Sequence, residues 1–143
     1  LNEPDANSLI NKRSGLLGIS GVSNDMREIE EAAINGNKRA QIAIDLYTYR
    51  AKKYIGAYIA VLGRIDGVVF TAGIGENRPE VRRKTIEGLD GFKLAIDEDK
   101  NDINDGTEKF INAEGSTKIM VIPTNEELVI ARDTLNIVGR NVS

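Results

Sequence analysis

Between Lys38 and Leu62, apolar and aromatic residues recur at three- and four-residue steps, at Ala40, Ala43, Tyr47, Ala51, Tyr54, Tyr58 and Leu62. No other stretch limits the fold so firmly, because that spacing predicts one amphipathic helix of about 25 residues. Arg39, Asp45, Arg50 and Lys52 fall on its other face, and Asn37 stands where the helix opens. Three of the four tyrosines lie on the stripe, and packing in a core or at an interface accounts for them without a ligand.

Shorter elements flank this helix. Asp5 is placed to cap a short helix through Leu9, Ile10 and Lys12 that ends by Gly15, and "GLLGISGVS" reads as a glycine-rich connection. Ser23 or Asn24 caps the next helix, "DMREIEEAAI", which stops at Asn35 and Gly36. After Gly63, "DGVVFTAG" has the make-up of a short buried strand, and Pro79 suits the first position of a helix reaching Leu89. "FKLAID" alternates like a half-exposed strand, "EDKNDINDG" reads as a polar turn region, and "EKFIN" holds a second candidate strand. "KIMVIP" is the continuous apolar run of a central strand, followed at once by the helix "TNEELVIARDTL". Strands alternating with helices predict an α/β unit with a mixed or parallel sheet.

Composition narrows the chemistry. The 143 residues suit one domain or a large piece of one, and 41% hydrophobic content can build a core. With 22 acids against 19 bases, the chain lacks the positive excess that binding to a phosphate backbone needs, so nucleic acid is not an expected partner. There is no cysteine, hence no disulfide and no thiolate metal site. There is no histidine, which removes the commonest acid/base group at neutral pH and the commonest transition-metal ligand. No apolar stretch approaches the roughly 20 residues that span a bilayer. A soluble, cytoplasmic protein is expected. The start at Leu1, directly into "NEPDANSLINKRSG", suggests a piece of something longer.

Three stretches are candidates for a site. In "VVFTAGIGENRPEVRRK", Gly73 and Gly75 end a strand, but Arg78 stands where a dinucleotide fingerprint needs its third glycine, and no P-loop pattern is present. Spacing alone favours a plain strand-to-helix turn over a ligand site, although glycines let a ligand approach the backbone and helix-start N–H groups favour an anion. In "PTNEELVIARD", Thr124 and Glu127 form a capping box, leaving Glu126 free at the carboxyl end of a strand, where it serves either as a solvated helix-start acid or as a Mg²⁺ contact. In "SGVSNDMREIE", capping plus an ion pair from Arg27 to Glu30 or Glu31 suffices on physical grounds. Asp97, Asp99, Asn101, Asp105 and Glu108 match positions 1, 3, 5, 9 and 12 of a calcium loop, but Asp102 replaces the glycine its turn requires, so a solvated acidic loop is expected.

Together and in this order, "GLLGISGVSNDMREIE", "VVFTAGIGEN" followed by "VR", and "VIPTNEELVIARDT" resemble the carboxyl-terminal part of the acetate and propionate kinase family. The resemblance covers nearly all of residues 1–143 and implies part of a ribonuclease-H-like nucleotide-binding domain of the sugar-kinase, Hsp70 and actin superfamily, a mixed sheet flanked by helices. It implies transfer of the γ-phosphate of ATP to acetate, giving acetyl phosphate and ADP. Asp25, Met26 and Arg27, with Gly73, Ile74, Gly75, Glu76 and Asn77, would contact the nucleotide, and Glu126 would bind Mg²⁺. The family's catalytic arginines, aspartate and histidines lie earlier in its chains, so no catalytic residue is expected here and the chain alone is not expected to turn over. A homodimeric parent is also implied. Propionate or butyrate kinase, and a non-enzymatic nucleotide-binding module of the same superfamily, remain as alternatives.

Overall fold

The computed structural model describes residues 3–140; Leu1, Asn2 and residues 141–143 of the expected unit 1–143 lie outside the described residues. In chain order the elements are α1 (Glu3–Lys12), α2 (Gly15–Ser20), α3 (Met26–Ile34), α4 (Lys38–Leu62), β1 (Gly67–Phe70), α5 (Ala72–Asn77) and α6 (Pro79–Ile86). A 3-10 turn at Asp90–Phe92 precedes α7 (Glu98–Asp102), β2 (Lys109–Phe110), β3 (Lys118–Val121) and α8 (Glu126–Arg140).

The helix read from the 38–62 periodicity is present over its full span, 25 residues or about 37 Å long. Asn37 opens it, its side-chain oxygen accepting from the N–H groups of Arg39 and Ala40. The expected stripe holds only in the amino-terminal half. Ala40 and Ala43 are buried, but Tyr47, Tyr54, Tyr58 and Leu62 are exposed, and Ile44, Thr48 and Ile59 are buried in their place. The buried line shifts by about one residue because α4 serves two separate cores. Its first half packs with Met26, Ile29 and Val81 against α2 and α3, and its second half with Ile86, Leu94, Ile111 and Ile119 beneath the sheet.

The sheet has the order β1-β3-β2. Strands β1 and β3 are parallel, Gly67 beside Lys118 and Phe70 beside Val121, while β2 runs antiparallel to β3. The mixed α/β architecture and the central place of "KIMVIP" are thus as expected. Ile119 and Val121 point into the core, whereas Val69 and Phe110 are exposed on or beside the strands' other side.

Several local expectations are corrected. Helix α1 begins at Glu3, so Asp5 lies within its first turn instead of capping it. "GLLGIS" is helical as α2, since Gly15 at φ 59° and Gly21 at φ 68° turn the chain at both ends and leave the segment between free to coil. "FKLAID" is no strand: it begins in the 3-10 turn and keeps one isolated bridge, Ile96 to Asn112, because Lys93 takes a left-handed φ of 58°. Part of the acidic region is α7, capped by Asp97, with Asn101 fully buried. Among the described residues no helix is long and apolar enough to cross a membrane.

Candidate functional site

The site lies at the carboxyl ends of the two parallel strands, where open α/β sheets leave a crevice. After Phe70 the chain turns sharply at Ala72, which takes a left-handed φ of 59°, and at once winds into α5. The glycine pair is therefore a short helix in its own right and not an extended hook ahead of Pro79. The two glycines differ in surroundings. A Cβ at Gly75 would come 3.2 Å from the Phe70 carbonyl carbon, so this glycine lets α5 lie against β1; a Cβ at Gly73 would meet open space.

Thr124 ties the two strand ends together. Its hydroxyl accepts from the Ala72 N–H at 3.1 Å and lies 2.9 Å from the Thr71 hydroxyl. Glu76 Oε1 accepts from both the N–H (2.7 Å) and the hydroxyl (2.8 Å) of Thr124, and these bonds, the backbone one foremost, lower the Glu76 pKa. The expected capping box is thereby overturned. With Thr124 engaged by α5, Asn125 takes over, its side-chain oxygen accepting from the Leu128 N–H at 2.9 Å. Glu126 and Glu127 both lie exposed in the first turn of α8, and a cavity of about 410 Å³ is lined by Ala72, Gly73, Glu76, Thr124, Glu126 and Glu127 among others.

A second cavity, of about 660 Å³, opens on the other side of Gly73. Asp25, Met26 and Arg27 form one wall and Gly73, Ile74 and Asn77 the other, with Asn24, Arg78 and Asn104 completing it. Two of the three sequence motifs thus face each other across one cleft, and Gly73 borders both cavities. Gly75 and Glu76 do not line the larger one. Gly75 packs on Phe70 behind the site, and Glu76 turns to Thr124 and lines the smaller cavity instead.

On the α3 wall, Asp25, not Ser23 or Asn24, is the cap, accepting from the Arg27 N–H at 2.9 Å, while the Ser23 hydroxyl accepts from the Asp25 N–H. The Arg27 guanidinium folds back onto the same carboxylate, with Nη2 to Oδ2 at 2.6 Å, and these bonds bring the Asp25 pKa down to about 2. The pair replaces the expected contact of Arg27 with Glu30 or Glu31. Glu30 instead meets Arg78 at 3.1 Å, joining α3 to the start of α6, and burial raises its pKa in spite of that arginine. Met26 is 3% exposed, its side chain in the helical core.

The sequence reading quoted Arg82 within its "VR" but gave it no role, and it is fully buried behind α5. A signal existed: Val81, Arg82, Thr85, Ile86 and Leu89 fall at helical spacing, and all five are buried. Of the calcium-like residues, Asp97 caps α7, Asn101 bonds Arg82 and Asp105 pairs with Lys109. Among the described residues no group of three or more carboxylates, histidines or cysteines is arranged to hold a metal.

In fold the chain is similar to part of the solved small-carboxylate kinases. The acetate kinase of Porphyromonas gingivalis superposes with a TM-score of 0.86 at 45% identity, over 96% of this chain and 35% of that one. A propionate kinase from Francisella tularensis follows with 0.80 at 41% identity, over 92% of this chain and 33% of its own. The model of the acetokinase family matches residues 2–132, and the chain belongs to that family. The acetate kinase of Halothermothrix orenii is 55% identical over 139 residues, 96% of this chain. The chain spans 35% of that relative's length.

Proposed function

We propose that this chain is the carboxyl-terminal nucleotide-binding portion of an acetate kinase, contributing adenosine and Mg²⁺ contacts to the reversible transfer of the γ-phosphate of ATP to acetate. The observation that carries the reading is the shared cleft. Residues 24–27 and, far away in sequence, Gly73, Ile74, Asn77 and Arg78 wall one cavity of about 660 Å³, and Gly73 leaves its backbone open to a ligand. Asp25, Met26, Arg27, Gly73, Ile74 and Asn77 would hold the nucleoside, with the backbone of Met26 and not its core-facing side chain in contact. Gly75 and Glu76 set the position of α5.

Bound ATP supplies the transferable phosphoryl group. The donor set fits the magnesium it travels with, because Mg²⁺ takes one or two carboxylates and keeps waters and phosphate oxygens for its other positions, and Glu126 is an exposed carboxylate on the cavity next to Gly73. The residues of this chain bind and orient, which is most of what a protein does in phosphoryl transfer. Acetate, a homodimeric parent and a cytoplasmic setting belong to the same proposal and rest on the family resemblance. The F. tularensis propionate kinase supports a second reading, with propionate as acceptor.

Titration calorimetry of the folded chain with MgADP tests the nucleotide site: saturable heat is expected, and none on a folded sample overturns the reading. In the full-length protein carrying this segment, trapping acyl phosphate with hydroxylamine from acetate and from propionate reads the acceptor. The isolated chain is expected to form no acyl phosphate.

A further inference from the structure

Arg82 is 0% exposed and its bonds lead to the back of the nucleotide cleft. Nη1 donates to the carbonyls of Gly75 (2.9 Å) and Glu76 (2.8 Å), part-buried acceptors at the end of α5. Nε donates to Asn101 Oδ1 (2.8 Å) and Nη2 to the Asn101 carbonyl (2.7 Å) in α7. Asn101 in turn donates from Nδ2 to the Pro79 carbonyl at 3.1 Å. The partners of this guanidinium are thus the negative ends of two short helices, and burial lowers its pKa. Both helices lead to the cleft: α5 carries Gly73, Ile74 and Asn77, and Asn104 follows α7 by two residues.

We infer that Arg82, with Asn101, is a positioning residue for nucleotide binding, locking α5 and the segment after α7 into the spacing the ligand needs. The inference rests on the nucleotide reading above. A six-residue helix, bonded at its start to Thr124, has little surface of its own to keep one position. The planar fork of arginine reaches two carbonyls of α5 and two oxygens of Asn101 at once, which a lysine ammonium on its flexible stem does not.

The test is Arg82→Lys in the full chain, read by titration with N-methylanthraniloyl-ADP and Mg²⁺ at a temperature where circular dichroism shows the variant folded. If α5 then occupies its competent position about a tenth of the time, the apparent Kd rises roughly tenfold. Hydrogen exchange is expected to quicken at residues 76–78 while β3 keeps its protection. An unchanged Kd with a lowered melting temperature overturns the inference, since Arg82 would then only support the fold. If Arg82→Lys does not fold, Asn101→Ala replaces it, with the same Kd rise expected and an unchanged Kd overturning the inference. Failure of both variants to fold also overturns it. Absence of binding by the unsubstituted chain is a different result: it removes the nucleotide reading itself.

Discussion

Gly73 and Gly75 stand one residue apart and separate two physical jobs. Gly73→Ala meets no atom and replaces a glycine in a helix, so stability should hold or rise by up to about 1 kcal/mol while the new methyl group intrudes on the cleft. Gly75→Ala forces a methyl against the β1 backbone 3.2 Å away and should cost about 1–3 kcal/mol. Thermal melts beside ADP titrations check the pair: a Gly73→Ala chain that binds ADP normally would remove Gly73 from the binding surface. Glu126 and Glu127 offer a parallel contrast. With Asn125 as the cap, neither acid caps α8 and both line the same cavity, so the choice of Glu126 rests on the family resemblance: Glu126→Ala in the full-length protein should depress turnover far more than Glu127→Ala, and equal losses in kcat would mean the magnesium contact is misassigned. The acid's place on the strand end was legible from "PTNEE"; the identity of the cap was not, because the Thr124 hydroxyl is claimed by Ala72 and Glu76 from another loop.

At the scale of elements, the long helix was readable to the residue at both ends, because Asn37 and Gly63 are local start and stop signals. Asn37→Ala removes an acceptor for two N–H groups and should cost about 1 kcal/mol, seen as a lower denaturation midpoint with an unchanged slope. Which face of α4 is buried was only half legible. Tyrosine and leucine at 54, 58 and 62 continue the stripe by spacing, but α4 meets the sheet core through Ile55 and Ile59. Periodicity reports that a helix has an apolar side, and the packing partners decide where that side is centred. The strands show the same division. "KIMVIP" was recognisable as central from its unbroken apolar run, whereas "FKLAID" alternates as a strand should and yet forms a turn and a single bridge.

For the whole molecule, α8 is the element least held by the rest. Residues 126–139 are all exposed, including Leu128, Ile130 and Leu135, while Ile29, Leu94, Ile111 and Ile119 are fully buried. Amide exchange should therefore be fastest along α8 and slowest in α3 and β3; equal protection in α8 and β3 would contradict this picture. Acid should destabilise the fold in a defined direction. The carboxylates of Asp25, Asp45, Glu76, Asp97 and Asp105 have pKa values below their ordinary ones through bonds to Arg27, Lys84, Thr124, Lys100 and Lys109 respectively. A lowered folded-state value contributes stability that is complete above the unfolded value and lost as pH falls through the folded one. Glu30 acts oppositely, since burial raises its pKa and the resulting penalty is relieved as it protonates. Five groups outnumber one, so denaturation midpoints should decline from about pH 4.5 downwards toward pH 2, with little change between pH 6 and 8. A midpoint that rises on acidification would show Glu30 to dominate.

By itself the sequence determined the α/β class, the long helix and the central strand, because caps, glycines and apolar periods act within a few residues of where they are written; the three motifs offered for a nucleotide and its metal came from the family resemblance. Only the tertiary structure decided that residues 24–27 face Gly73, Ile74, Asn77 and Arg78 across one cleft, that Glu76 turns to Thr124, and that Arg82 is buried behind the glycine helix. Each of these joins groups far apart in the chain, and a polar side chain can be read as surface or as scaffold only when the donors and acceptors that surround it in space are known.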